Sequence, residues 1–137
     1  MVLVVDAANV VGARPDGWWR DRAGAARRLL DQLERLPGRT ARGAEGADVR
    51  VVAVAVVLEG RARAAGQDDR VPAPGVHVLL AEGSGDDAVV ALVEHLQDEL
   101  GEGDAEVVAV TADRGLRARL SARSWGPGWL RDLLDER

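Results

Sequence analysis

The sequence predicts an α/β fold in which helices cover both faces of a mostly parallel sheet. Four Val-rich apolar segments lack clean alternation and are typical of buried parallel strands: Val2 to Asp6, Val49 to Leu58, Gly75 to Ala81 and Glu106 to Thr111. Segments with a helical pattern lie between them, and right-handed crossovers normally join parallel strands. We therefore expect three layers in a single domain of 137 residues.

The helices are recognised by their ends. The first is predicted from about Trp18 to Leu36, where Pro37 and Gly38 end it. The others are predicted at Gly85 to about Leu100, Arg114 to about Ala122, and Gly128 to the end of the chain. Gly38 to Asp48 and Gly60 to Pro74 have no periodic pattern and are interpreted as surface connections, the second with a short helix at Arg61 to Ala65.

The composition excludes several enzyme classes. The chain has no cysteine, and all 18 of its basic residues are arginine. Without cysteine there is no thiolate nucleophile or cysteine-ligated zinc, and without lysine there is no Walker phosphate loop or Schiff base. Carboxylates remain abundant, and these are the ligands that Mg²⁺ and Mn²⁺ prefer. We expect no organic cofactor.

The apolar segments also bear on location. The longest, Val51 to Leu58, is too short to span a bilayer, and no basic region precedes the apolar residues at the amino terminus. We therefore expect a cytoplasmic protein that does not associate with membranes.

The first predicted strand ends at a carboxylate. Asp6 follows five apolar residues, and Asn9, the only asparagine of the chain, comes three positions later. Open α/β sheets bind ligands at the carboxyl ends of their strands, so this pair suggests a cation or phosphate site. The alternative is that both side chains only satisfy the hydrogen bonds of a turn.

A second acidic pair opens the helix that is predicted to start at Gly85. Ser84 and Asp87 have the spacing of a capping box, which gives Asp87 a structural explanation. Asp86 is different, because positions three and four residues apart from it carry the apolar stripe that should face the sheet. An inward carboxylate is costly unless the helix amino terminus or a cation compensates it.

The fourth predicted strand again ends in polar residues, Thr111 and Asp113. In a parallel sheet, Asp6 and Asp113 lie at the same edge if their strands are neighbours, and Asp86 is brought to that edge by its helix. Three carboxylates at one place repel each other unless a divalent ion neutralises them. The alternative for Asp113 is that it only caps the next helix.

Three motifs in order resemble a PIN-like NYN domain, and are most similar to its bacterial YacP-type branch. They are Val-Val-Asp-Ala-Ala-Asn ending at Asn9, Gly-Asp-Asp at residues 85–87, and Val-Thr-Ala-Asp ending at Asp113. The resemblance covers essentially the whole chain, residues 1–137. It implies a metal-dependent ribonuclease whose Asp6, Asp86 and Asp113 hold Mg²⁺ or Mn²⁺.

The same resemblance implies that Asn9, Asp87 and Thr111 support the metal-binding acids, with Asp87 as a further metal-binding candidate. Many PIN-like nucleases carry another acid after the second strand or in the first long helix. The candidates for it in this chain are Glu59, Asp16 and Asp21.

Arginine and tryptophan side chains are the candidates for RNA binding. Arg114 and Arg117 are three residues apart at the start of a predicted helix and suit phosphate binding, whereas Arg61 follows a strand end and could overhang the same edge. Each of them can alternatively belong to a solvated surface. Trp18 and Trp19 could stack on an unpaired base, or serve as core and interface residues.

Three functions are consistent with this pattern. The first is a metal-dependent endoribonuclease that acts on single-stranded RNA. The second is a non-catalytic module that binds RNA or protein, and the third is a metal-dependent nucleotide phosphohydrolase.

Overall fold

The structure, a computed structural model, describes residues 1–14, 16–65, 75–101 and 105–136. The strands in these ranges are β1 (Val2–Asp6), β2 (Thr40–Arg42), β3 (Asp48–Arg50), β4 (Ala53–Leu58), β5 (Gly75–Leu80), β6 (Val107–Val110) and β7 (Arg123–Trp125). The α-helices are α1 (Ala7–Val11), α2 (Arg22–Leu33), α3 (Gly85–Leu100), α4 (Arg114–Arg119) and α5 (Pro127–Asp135). Short 3-10 helices at Trp18–Arg20 and Gly60–Ala65 precede α2 and follow β4.

Five strands form one parallel sheet in the order β5-β4-β1-β6-β7. The central strand is β1, in which Val5 pairs with Val56 of β4 on one side and with Val110 of β6 on the other. From β1 the chain runs outward through β4 to β5, and then crosses back to β6. The strand order therefore reverses between β1 and β6, which is where open α/β sheets leave a crevice at the carboxyl ends of their strands.

The two faces of this sheet bury alternate residues of each strand, as the period of two requires. Leu3 and Val5 pack into the cluster formed with α1, α2 and α5, whereas Val4 packs with α3 and α4 on the other side. All three of these β1 side chains are fully buried. The predicted three-layer α/β architecture is confirmed.

The predicted strand at Val49 to Leu58 is in fact two strands. Residues Asp48–Arg50 form a separate antiparallel hairpin with Thr40–Arg42, which lies in the segment that was predicted to be a surface connection. The backbone amide of Val51 bonds to Arg39 and that of Val52 to Met1, so the chain passes from the hairpin to the main sheet at these two residues. The single apolar run from Val49 to Leu58 therefore contributes residues to both sheets.

Two helix predictions need correction, and one helix was not predicted. The predicted helix from Trp18 to Leu36 is interrupted because Asp21 caps α2, its carboxylate accepting a hydrogen bond from the Gly24 amide at 2.9 Å. The helix from Arg114 ends at Arg119 instead of Ala122, because the next residues form β7 at the edge of the sheet. The sequence interpretation also missed α1, which follows β1 directly.

Two elements have the predicted bounds. Helix α3 covers Gly85–Leu100, with Ser84 as its capping residue, and β1 covers Val2–Asp6. The predicted connection from Gly60 to Pro74 begins with a 3-10 helix, and its residues 66–74 lie outside the described residues. No helix in the described part of the chain is long and apolar enough to cross a membrane.

Candidate functional site

Three polar side chains leave the carboxyl edge of the sheet on the side of α3 and α4. Asp6, Glu59 and Thr111 each follow, by two positions, a strand residue that packs against these helices. Those strand residues are Val4, Val57 and Ala109. Because side chains of a strand alternate between faces, the three polar residues continue the same face beyond the apolar core. Strands β4, β1 and β6 are adjacent, so the three side chains meet at one edge.

The centre of the site is the pair Asp6 and Thr111, both of which are buried. The Thr111 hydroxyl donates a hydrogen bond to Asp6 Oδ2 at 3.1 Å and accepts one from the Asp113 backbone amide at 3.2 Å. Asp6 Oδ1 accepts a hydrogen bond from the Asn9 amide at 3.4 Å and so caps α1. One hydroxyl thus connects the end of β1 to the segment that follows β6.

Asn9 makes a second connection across the same crevice. Its side-chain Oδ1 accepts a hydrogen bond from the Ala112 amide at 2.8 Å, joining α1 to the segment after β6. The predicted alternatives for Asp6 and Asn9 were a turn or a ligand site. Both side chains do satisfy backbone donors, and they do so at the point where the strand order reverses.

Glu59 belongs to this site, and sequence reasoning had not separated it from two other candidates. Its Oε2 accepts a hydrogen bond from the Gly85 amide at 2.7 Å, at the amino end of α3. A Cβ on Gly85 would lie 2.6 Å from that carboxylate, so glycine is needed for this contact. Asp21 instead caps α2, and Asp16 is exposed. Glu59 could have been recognised from its position, because it continues the face of its strand that packs against α3.

The carboxylates at this edge influence each other. Burial raises the pKa of Asp6, the hydrogen bonds from Thr111 and Asn9 act against that rise, and the charges of Glu59 and Asp86 add to it. Asp86 is partly exposed at the start of α3, and its pKa is raised by burial and then by the charges of Asp113 and Glu59. Asp6, Glu59, Asp86 and Asp113 therefore form one acidic cluster in which like charges repel.

Asp113 lies at the exposed rim of the acidic cluster. Its Oδ1 accepts a hydrogen bond from the Leu116 amide at 3.0 Å and caps α4, as the alternative interpretation predicted. A carboxylate accepts several hydrogen bonds at once, so this cap leaves capacity for another partner. The structure thus places Asp6, Asp86 and Asp113 at one edge of the sheet.

Asp87 has a different arrangement. The amide of Asp87 donates to Ser84 Oγ at 3.4 Å, which is half of the predicted capping box. Its carboxylate pairs with Arg119 of α4 at 2.7 Å, and both side chains are exposed. The charge of Arg119 also lowers the pKa of Asp86, against the larger effects that raise it. Sequence reasoning assigned no role to Arg119.

The arginines predicted to bind RNA lie on elements that begin directly after acids of the cluster. Arg117 is exposed, and its Nε donates to the Thr111 carbonyl oxygen at 3.0 Å, which ties the start of α4 to the end of β6. Arg114 is the exposed first residue of α4. Arg61 is exposed in the 3-10 helix that begins directly after Glu59.

The residues present suit a divalent cation in charge and in donor atoms. Every acid of the cluster offers hard oxygen donors, and the repulsion among them is the kind that a cation relieves. Among residues 1–14, 16–65, 75–101 and 105–136, no three His, Cys, Asp or Glu side chains are arranged to coordinate one ion. Asp86 is partly exposed and Asp113 is exposed.

The fold is similar to that of a solved bacterial protein. The crystal structure of Rae1 (YacP) from Bacillus subtilis, a W164L mutant, superposes with a TM-score of 0.64 and 17% sequence identity, over 98% of this chain and 74% of that one. No protein-family model and no curated protein sequence matches this chain. At this identity the similarity establishes the fold, which is a YacP-like, PIN-like α/β fold.

Proposed function

We propose that this chain is a PIN-like NYN domain that acts as an endoribonuclease on single-stranded RNA and requires Mg²⁺ or Mn²⁺. The observation that carries the proposal is the acidic cluster of Asp6, Glu59, Asp86 and Asp113 at the carboxyl edge of the sheet, where the strand order reverses. The YacP-like fold supports a role related to RNA.

Asp6, Asp86 and Asp113 would hold the ion, with Asp87 and Glu59 close by. A bound Mg²⁺ or Mn²⁺ lowers the pKa of a coordinated water and offsets negative charge on a phosphate. Asp6 is suited to the central position because it is buried and its two oxygens are held by Thr111 and Asn9. A ligand fixed in this way needs little reorganisation when an ion binds.

The remaining side chains would bind and orient the RNA. Arg114 and Arg117 lie on the helix that starts at Asp113, so their guanidinium groups can hold a phosphate beside the acidic cluster. Arg61 lies in the 3-10 helix that begins directly after Glu59, and would contact the RNA from that side. Asn9 would keep α1 and the segment that contains Asp113 together while the RNA is bound.

The direct test is cleavage of a labelled single-stranded RNA in the presence of Mn²⁺. Asp6→Asn and Asp113→Asn should each reduce the cleavage rate at least about 100-fold, because each removes a negatively charged metal ligand. Asp98→Asn is the matched control, since Asp98 is an exposed carboxylate twelve residues along α3 from Asp86 and hence about 18 Å away. Equal rates in all three variants would contradict the proposal.

A second candidate is a non-catalytic module that binds RNA or protein. It is favoured by the present arrangement of two acids, since Asp113 caps α4 and Asp87 pairs with Arg119. RNA binding with no cleavage in Mg²⁺ or Mn²⁺ would support this candidate. Release of phosphate from nucleotides, with RNA left intact, would instead support the phosphohydrolase.

A further inference from the structure

A cavity of about 410 Å³ opens beside the acidic cluster. It lies between α1, the start of α2 and the 3-10 helix after β4, and Glu59 contributes to its wall as well as to the acidic cluster. Ala7 and Ala8, which directly follow Asp6, form another part of the wall. We call this space the α1/α2 cavity. It is continuous with the proposed catalytic edge and lies on the side of β1 and β4.

The size of the α1/α2 cavity follows from its small side chains. Ala7, Ala8, Gly60 and Gly83 line it and project little or nothing into the space. Its volume is within the range of roughly 300–1,000 Å³ that is common for small-molecule sites. Larger side chains at these four positions would fill it.

One wall of the α1/α2 cavity is aromatic. Trp18 is half-buried, and the guanidinium of Arg22 lies 5.5 Å from the centre of its ring, at a distance typical of a cation–π contact. Trp19 touches Trp18 edge to face, with ring centres 5.9 Å apart, but it is 52% exposed. The cavity thus combines an indole, small apolar side chains, a guanidinium donor and the Glu59 acceptor.

We infer that the α1/α2 cavity binds one unpaired nucleobase of the RNA, next to the phosphate held at the acidic cluster. The inference rests on the proposed ribonuclease function. A nucleobase has an apolar face that stacks on aromatic side chains and polar edges that need both donors and acceptors. Trp18 supplies the stacking surface, whereas Arg22 and Glu59 supply a donor and an acceptor. The RNA strand would then run from the cavity across Asp6.

The test is binding of a short fluorescein-labelled single-stranded RNA to the full chain, measured by fluorescence anisotropy in Ca²⁺, with the RNA checked for integrity on a gel. Trp18→Leu removes the stacking surface, and Ala8→Leu narrows the cavity from an exposed position. Each should weaken binding about tenfold, the effect of losing one stacked base. Trp19→Leu is the matched control and should change the affinity less than twofold, because Trp19 packs on Trp18 outside this site.

A second set of RNAs identifies the occupant, each lacking the base at one position. At one position the missing base should weaken binding by the wild-type chain about tenfold, and should cause no further loss with Trp18→Leu. Equal RNA affinities of wild type, Trp18→Leu and Ala8→Leu would overturn the inference. It would also be overturned if, at every position, removal of the base weakened RNA binding by Trp18→Leu as much as it weakened RNA binding by the wild type. Binding of a free mononucleotide by a chain that has no affinity for the strand would also overturn it.

The inference about the cavity and the ribonuclease proposal would be contradicted by different results. If the wild-type chain cleaves RNA in Mn²⁺ and Trp18→Leu binds RNA normally, the inference about the cavity is wrong and the ribonuclease proposal stands. If removal of the base causes no further loss of affinity in Trp18→Leu but no metal supports cleavage, the inference about the cavity is correct and the catalytic proposal is wrong.

Discussion

Thr111 shows why one residue type is required at the centre of the site. Its hydroxyl is fully buried and serves two neighbours, as donor to Asp6 and as acceptor from the Asp113 amide. Only a hydroxyl donates and accepts through one atom at this position. Thr111 is the first residue after β6 and continues the strand face on which Ala109 is buried.

Thr111→Val should destabilise the metal-free protein by about 2 kcal/mol, because Val keeps the shape and leaves a buried carboxylate oxygen without its donor. Urea denaturation in EDTA measures this change. Thr111→Ser is the control that retains the hydroxyl, and it should recover most of the loss. If Thr111→Val is as stable as the wild type and only Thr111→Ser loses stability, packing of the methyl group matters at this position and the hydrogen bond does not.

Asp86 should make stability depend on pH in a defined direction. Because its folded-state pKa is raised above the ordinary value of 3.8, the folded protein binds more protons than the unfolded chain just above pH 3.8, and stability falls as pH rises through this window. In EDTA at pH 7, Asp86→Asn should therefore raise the Tm by roughly 2 °C.

The gain from Asp86→Asn should shrink as pH is lowered toward and below 3.8, because the wild-type carboxyl then takes up a proton in the folded protein. Thermal unfolding at several pH values measures it, with Asp98→Asn at the far end of α3 as the control for loss of a negative charge. A gain that grows on acidification would mean that Asp86 is stabilised as a carboxylate, contrary to its position in the acidic cluster.

At the scale of elements, the sequence was most informative where several signals agreed. Helix α3 was predicted with its observed bounds because Ser84, the apolar stripe and Gly101 mark its start, its face and its end. Strand β1 was equally clear as a buried run that ends in a carboxylate. Asp6, Asp86 and Asp113 were then found from strand and helix ends alone, since parallel strands bring those ends to one edge.

Short elements were missed for physical reasons. Helix α1 has only five residues, too few for a helical period to be recognised, and it follows β1 without a connecting loop. Strand β7 has only three residues and lies at the edge of the sheet. It is defined by its pairing with β6, and not by the strand propensity of its own residues. Glu59 could not be separated from other acids, because its place depends on which strands are neighbours and on contact with the amino end of α3.

The junction between β4 and α3 gives a testable role to Gly85. In Gly85→Ala the new methyl group would meet the carboxylate of Glu59, which is the movable end of a flexible side chain. We expect the Tm to change by less than about 2 °C, because Ala favours the helix while Glu59 moves away. RNA cleavage should fall about tenfold in Gly85→Ala and in Glu59→Gln, since each removes the Glu59 charge from its place.

The matched control for this junction is Gly128→Ala, which adds a methyl group in α5 where nothing lies within 4 Å of it. It should leave cleavage unchanged. Full cleavage activity in both Gly85→Ala and Glu59→Gln would show that Glu59 serves only to cap α3. A loss in Gly85→Ala alone would indicate that the glycine itself approaches the RNA.

At the scale of the whole molecule, strand order produces the site. Residues 6, 59 and 111 are about fifty positions apart in sequence, yet β1 lies between β4 and β6 and brings their ends together. The same order gathers negative charge at one edge, where Asp6 and Asp86 both have a raised pKa. The metal-free fold therefore contains unfavourable repulsion that a cation would remove.

A cation that binds this edge should stabilise the whole domain, because the unfolded chain has no such cluster of acids. At a free Mn²⁺ concentration of 100 times the Kd, the expected gain is about 2.7 kcal/mol, which raises the Tm of a domain of this size by roughly 10 °C. Thermal unfolding at increasing Mn²⁺ and at constant ionic strength measures the gain. Asp6→Asn should lose most of it and Asp98→Asn none, because only the first lies in the acidic cluster. An equal gain in wild type and Asp6→Asn would place the ion elsewhere on the protein, and the acids at the sheet edge would then be free to serve only as helix caps and hydrogen-bond acceptors.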